Sequence, residues 1–425
     1  MERVAGPAPS GFRGQAGGRG TVVRAALVGG PMYDPLYESI PAFEQGTGIR
    51  VEVVARLPHP ELNAFVRQAF GAGDPGIDLL STHTKYAPSQ ARWLSALDDI
   101  VDEAQRQDLL RRPAELATIG GRLLQVPRNV DVRLLHYRRD LLEDPSERAA
   151  FERKSGRPLR MPATWGELVE VASFFTRPGL YGFLFPGRDS GLFGTFYELL
   201  VGAGGELFDA SLRPAFDSPA GVWAASTIAE LHHVRAVTPR ELPRWHYDEI
   251  SAAFRAGEAA MVCDWPGSYH LYRSAATCRV PDHVGLAPLP AGPAGVRAAY
   301  AGCHSFAIPA SAPNRSGAGR LLTFLTSFDA QLGEARRGAI PCRASALARV
   351  RQEADSDAAE SRRWALLADA EKTMIIPPRF ATYPGCEDAI WHAVQRAMQG
   401  EIPPAEAVRQ AAADVLPFVT AAVSS

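Results

Sequence analysis

Lysine is nearly missing: Lys85, Lys154 and Lys372 are the only three in 425 residues, and arginine supplies the rest of the basic charge. No function is read from that scarcity. Excess charge is also missing. A formal net charge of −2 over this length gives no field to steer nucleic acid or an anionic membrane. The cysteines, at 263, 278, 303, 342 and 386, include no CxxC and no zinc-type spacing, and an odd number cannot pair fully within the chain. No apolar run is long enough to span a bilayer. Walker A, HExxH, EF-hand and GxSxG sequences are absent, so phosphate cradling, zinc proteolysis and serine hydrolysis lack their usual carriers. The segment Gly71–Gly76 does fit GxGxxG. Dinucleotide binding needs a strand before that loop and a helix after it, and here the order is reversed, with Pro75 inside.

What is present is ordinary globular material: 46% hydrophobic and 22% charged residues, in a chain too long for one core, so two or three lobes are expected. Residues 1–20, rich in Gly, Pro and Arg, read as a disordered tail without the apolar core of an export signal. After it, Val22–Val28 reads as a strand. Leu36, Ile40 and Phe43 repeat at helical period behind Asp34-Pro35, with Asp34 as the expected N-cap. Ile49–Val54 alternates like a strand, Leu62, Phe65, Val66, Ala69 and Phe70 return to helical period, and Ile77–Leu80 is a third strand. This β-α-β-α-β order predicts an α/β fold whose ligands sit beyond the carboxyl ends of the strands.

Gly120-Gly121 suggests a hairpin, and Val132–Tyr137 a strand. Thr164 and Glu167 have capping-box spacing ahead of Leu168, Val171, Ala172 and Phe175. Strands at Tyr181–Phe185, Ala259–Cys263 and Val284–Ala287 and helices over 192–203, 219–234 and 248–256 make a second α/β lobe. The Pro/Gly-dense stretch 288–297 reads as a return crossing before a strand at Ala298–Ile308, and from 343 onward the pattern is helical. The expected division is a tail over 1–20, a first lobe of 21–127 plus 290–328, and a second of 128–289 plus 329–425.

Several blocks in order, FEQGTGIRVEVV (43–54), VPRNVDVRLLHYRRDLLED (126–144), PATWGELVEVASFF (162–175) and FRAGEAAMVCDWPGSYHLY (254–272) among them, resemble the extracellular solute-binding proteins of sugar ABC importers, the maltose-binding-protein-like group. The resemblance covers nearly all of the chain after residue 20. It implies a periplasmic-binding-protein-like fold of two α/β lobes joined by hinge crossings, with ligand held between them. The implied function is capture of a small polar ligand, a saccharide or sugar derivative, neutral or acidic, and delivery to an ABC permease. The implied protein is not an enzyme, uses no cofactor or metal, binds no nucleic acid, acts as a monomer, and works in the periplasm or outside the cell.

The resemblance also implies ligand contacts. Trp265, in DWPGSY, stands where relatives place a sugar-stacking aromatic, although large aromatics are equally at home in cores. His83, Thr84 and Lys85 follow a strand end, Arg128, Asn129 and Asp131 lie at the first crossing, and Arg188 and Asp189 follow another strand. Tyr33 and Asp34 occupy the first βα turn, and Arg379 and Tyr383 precede the final helices. His304 sits in AGCHSFAIP, where relatives commonly have Gly-Gly followed by an aromatic or small residue; this departure removes a stacking position and adds a titratable group.

Other readings stay open. A glycoside-acting enzyme on the same scaffold would use two carboxyl groups about 5–9 Å apart, with Asp131 and Asp264 as candidates. Without a visible export signal, a cytoplasmic ligand sensor is a further alternative. Cys303, His304, Cys342 and Cys386 admit a metal site or a Cys303–Cys342 disulfide, but buried free thiols fit their spacing better.

Overall fold

The computed structural model describes residues 22–73 and 75–423; the tail expected over 1–20 lies outside the described residues. Contacts divide the chain into two units, Met1–Val130 with Cys303–Glu353 and Asp131–Gly302 with Ala354–Ser425.

The first unit is the β-α-β-α-β arrangement. Val22–Val28 pairs in parallel with Arg50–Leu57 on one side and Leu79–His83 on the other. The sheet continues from Leu79–His83 through Ala299–Ala307 and Val126–Val132 to Ile340–Pro341. Alternate residues of the first strand feed opposite faces, as a period of two requires. Val23, Ala25 and Leu27 pack with Leu36, Ile40 and Phe43 of helix Asp34–Thr47 and with helix Arg315–Leu325. Ala26 and Val28 pack with Leu62, Val66 and Phe70 of helix His59–Gly71. Helix Asp34–Thr47 stops at Gly48, which is left-handed (φ 71°) and returns its N–H to the Glu44 carbonyl. Its N-cap is Tyr33, not Asp34; Asp34 is the first helical residue, because a 3-10 turn over Pro31–Tyr33 leads directly into the helix and leaves Asp34 already in helical conformation (φ −53°, ψ −38°). The expected hairpin is Thr118–Ile119 against Arg122–Leu123, with positive φ at Gly120 and Gly121.

The second unit holds a sheet ordered Val284–Ala287, Leu134–Arg138, Ala259–Asp264, Tyr181–Leu184. Only the last two are parallel. The expected strand at Val132–Tyr137 is two strands broken at Arg133, whose side chain turns into the core of this unit and is fully buried. Thr164 and Glu167 form the capping box that opens helix Trp165–Phe175. This helix lies so close on strand Tyr181–Leu184 that a Cβ on Gly182 would stand 1.9 Å from the Ala172 carbonyl oxygen. Gly182→Ala should therefore cost about 2–3 kcal/mol, read as a lower urea midpoint with an unchanged slope.

The chain passes between units after 130, 302 and 353, against the expected 127, 289 and 328. Residues 290–302 stay with the second unit because Ala291 bridges to Thr164 and to Arg297, and Ala299 and Tyr300 pair with Met374 and Ile375. Residues 329–353 stay with the first. There Glu334 holds Arg128, the Gln331 side chain bonds the Pro127 carbonyl and the Cys342 and Arg343 amides, and Asp108 receives Arg343 and Ser345. The C-terminal helices Tyr383–Met398 and Pro404–Asp414 pack in the second unit against Asp189–Gly202 and Pro219–Ala229.

Candidate functional site

In the first unit, chain order and sheet topology bring four rings to one end of the sheet. Tyr33 follows the first parallel strand, His59 opens the helix after the second, and His83 ends the third. His304, on the antiparallel neighbour, stands in register opposite His83. The three imidazole centroids are 4.8 Å (His59–His304), 5.3 Å (His83–His304) and 5.5 Å (His59–His83) apart. Tyr33 Oη is 3.1 Å from His304 Nε2. His83 Nδ1 accepts the Lys85 backbone N–H at 3.2 Å, which places the proton of a neutral His83 on Nε2. Tyr86 lies beside this group, with the Lys85 ammonium 4.7 Å from its ring centroid. Burial, with the charges of Arg128 and Lys85, pushes the His304 pKa down to about 3, so its ring is neutral at pH 7.

Arg128 is buried against Glu334, which accepts Nε at 2.9 Å and Nη2 at 2.9 Å, and its guanidinium carbon lies 5.3 Å from the Tyr33 ring centroid. Thr84 and Asn129 are buried; Asn129 pairs with Pro341 at the sheet edge. Asp34 forms an exposed ion pair with Arg56 at 2.7 Å.

In the second unit Trp265, just past the end of strand Ala259–Asp264, is partly exposed and leans on two tyrosines. Its ring centroid is 5.1 Å from that of Tyr247 and 6.2 Å from that of Tyr300. Behind this wall Arg133 is fully buried, its guanidinium carbon 6.0 Å from the Tyr247 ring. It donates to Thr195 Oγ1 (2.8 Å), the Gly191 carbonyl (3.2 Å) and Cys263 Sγ (3.1 Å), and pairs with buried Glu198 at 3.4 Å. Asp264 is also fully buried, and desolvation raises its pKa to about 6. Its oxygens accept the Trp265 N–H and the Tyr272 hydroxyl.

The remaining expected contacts also fall in the second unit. Arg188 and Asp189 pair with each other at 2.6 Å where helix Asp189–Gly202 begins. Asp131, buried, is the first residue of the unit's first segment. Arg379 is partly buried, and desolvation lowers its pKa. Tyr383 belongs to the core, fully buried between Phe193 and Phe380, its hydroxyl donating to Glu387 at 2.9 Å.

Reading the sequence alone misses His59, Tyr86, Tyr247, Tyr300 and the Arg133–Glu198 pair. His59 carried a usable signal, since it follows Leu57-Pro58 at the end of the second parallel strand, just as Tyr33 and His83 follow the first and third. All five cysteines are buried, and the sulfur atoms of Cys303 and Cys342 lie 3.4 Å apart. Among the described residues no group of three or more His, Cys, Asp and Glu side chains is placed to hold a metal ion, and no helix is long and apolar enough to cross a membrane.

The fold has close relatives among solved structures. Maltose-bound MalE3 of T. maritima superposes with a TM-score of 0.83 at 28% identity, covering 93% of this chain and 99% of that one. A Thermotoga lettingae ABC transporter solute-binding protein with bound α-D-tagatose gives 0.80 at 25% identity, covering 94% and 100%. In sequence, a probable amino-acid ABC transporter periplasmic-binding protein of Sinorhizobium fredii is 24% identical over 336 residues, 77% of this chain and 74% of the relative. The family model for bacterial extracellular solute-binding proteins matches residues 29–332, most of the described chain. The chain belongs to the bacterial extracellular solute-binding proteins.

Proposed function

We propose that this protein is the binding subunit of an ABC importer that takes up a sugar or sugar derivative, holds it without changing it, and presents it to a transmembrane permease outside the cytoplasm. The observation that carries this reading is the gathering of Tyr33, His59, His83 and His304 at one sheet end of the first unit. Phenol and neutral imidazole groups both donate and accept, which is what hydroxyl groups of a sugar require. Partly exposed Trp265, beside Tyr247 and backed by buried Tyr300, offers the flat apolar face that sugar C–H surfaces need. Maltose and tagatose in the similar structures support a carbohydrate. The name of the S. fredii relative makes amino acids the natural comparison ligands.

The enzyme alternative loses its best acid. Asp264 is enclosed in its own unit and engaged by Tyr272 and the Trp265 amide, so it offers no open carboxyl to a glycosidic bond.

Titration with maltose, tagatose, mannitol, ribitol and a set of amino acids, followed by tryptophan fluorescence and by ligand mass, tests the proposal. Saturable binding of a sugar or polyol with unchanged mass is expected; turnover, or binding of amino acids alone, overturns it. Trp265→Ala should weaken sugar binding about 30-fold, as loss of a stacking aromatic does, while far-ultraviolet circular dichroism stays the same.

A further inference from the structure

We propose that the buried Arg133–Glu198 pair is a positioning device for Tyr300, and through it for the aromatic wall of the second unit. The inference rests on the binding role proposed for that wall. Both backbone polar groups of Tyr300 are held at these two residues: the Glu198 side chain accepts the Tyr300 N–H through Oε1 at 2.7 Å, and the Arg133 backbone N–H, at the root of the guanidinium, donates to the Tyr300 carbonyl at 3.1 Å. Glu198 Oε2 and Arg133 Nη1 close the loop at 3.4 Å.

The arrangement is specific to the place. Tyr300 is 4% exposed and its ring is in contact distance of Trp265 and Phe193. Helix Asp189–Gly202 has glycine at 194, where a Cβ would stand 2.5 Å from the Tyr300 ring and 2.7 Å from Arg133 Nη1. Space for both groups therefore depends on that residue having no side chain. Arg133 and Tyr300 also sit close to the points where the chain enters and leaves the second unit, after 130 and after 302. One backbone hydrogen bond ties the two roots together. A hydrophobic pair would fill the same volume but would leave the Tyr300 N–H without its acceptor, and burying a donor in that state is costly.

The test uses the full chain with Glu198→Ala and Glu198→Gln. Glutamine keeps an amide oxygen for the Tyr300 N–H; alanine does not. Hydrogen exchange of a peptide spanning 297–303 should accelerate at least about tenfold in the alanine variant and stay near wild type in the glutamine variant. The indole N–H resonance assigned to Trp265 should shift only in the alanine variant, and the sugar dissociation constant should rise about tenfold there and less than twofold for glutamine. If Glu198→Ala does not fold, Thr195→Val, which removes one anchor of the Arg133 guanidinium, should move the Trp265 resonance in the same direction. Unchanged exchange and resonance in the alanine variant, or a glutamine variant that behaves like alanine, overturns the proposal. A wild type that binds none of the sugars overturns the importer reading instead, and exchange and resonance still decide the role of the pair.

Discussion

Lowering the pH from 7 to 5 should take about 2 kcal/mol from the fold through His136 alone, and lowering it to 3.5 about 4 kcal/mol. His136 is fully buried, and desolvation depresses its pKa to about 3. Its ring stacks edge-on against Tyr272, with centroids 5.0 Å apart, in a place with no room for a hydrated imidazolium. The unfolded chain binds a proton on this residue near pH 6.5, whereas the folded chain refuses it until about pH 3. The contribution is therefore complete above pH 6.5 and lost as the pH falls toward 3. His304 and His270, depressed to about 3 and about 4, act in the same direction. Two buried acids oppose them. Glu198 and Asp264 are raised to about 7 and about 6, so their contributions are present in acid and lost as the pH rises through those values. Urea unfolding across pH 4–7 separates the terms. His136→Gln should reduce the slope of stability against pH by about 1.4 kcal/mol per unit between pH 4 and 6, and an unchanged slope would contradict the assignment.

Arg133→Met should cost about 3–5 kcal/mol, because it leaves Glu198 buried without its cation. The loss belongs to the broken pair and not to the arginine as such. Arg133→Met with Glu198→Gln removes both charges and keeps an acceptor for the Tyr300 N–H, and it should recover most of the stability. Urea midpoints of the two variants check this: the double variant must lie well above the single one. If the two coincide, the guanidinium's bonds to Thr195, Gly191 and Cys263 carry the energy instead.

The alternating elements of the first 80 residues are legible in the sequence because each buries one face in a regular period, as Val23, Ala25 and Leu27 do opposite Ala26 and Val28. The capping box at Thr164 is legible for a similar local reason. The placement of Tyr33, His83, Lys85 and Trp265 follows from position in the fold, since strand ends and the loops after them are where side chains from different elements converge, whereas His304 lies inside strand Ala299–Ala307 and meets the group by pairing opposite His83. The remainder depends on partners far along the chain. Arg133 reads as one more strand residue until Glu198 and Tyr300 are brought to it, and Tyr383 reads as a loop tyrosine until Phe193 and Phe380 enclose it. Where residues 329–353 pack was equally hidden, because Glu334 finds Arg128 across more than two hundred residues of sequence.

The sheet of the first unit takes its last strand from Ile340–Pro341, and the whole of the second unit's residues 131–302 is synthesised in between. At roughly 5–20 residues per second, a ribosome needs about 10–30 s to make that stretch. During this interval the nascent first unit lacks the strands at Ala299–Ala307 and Ile340–Pro341 and the core side chains of helix Arg315–Leu325, so its sheet is completed only after the middle of the chain has been made.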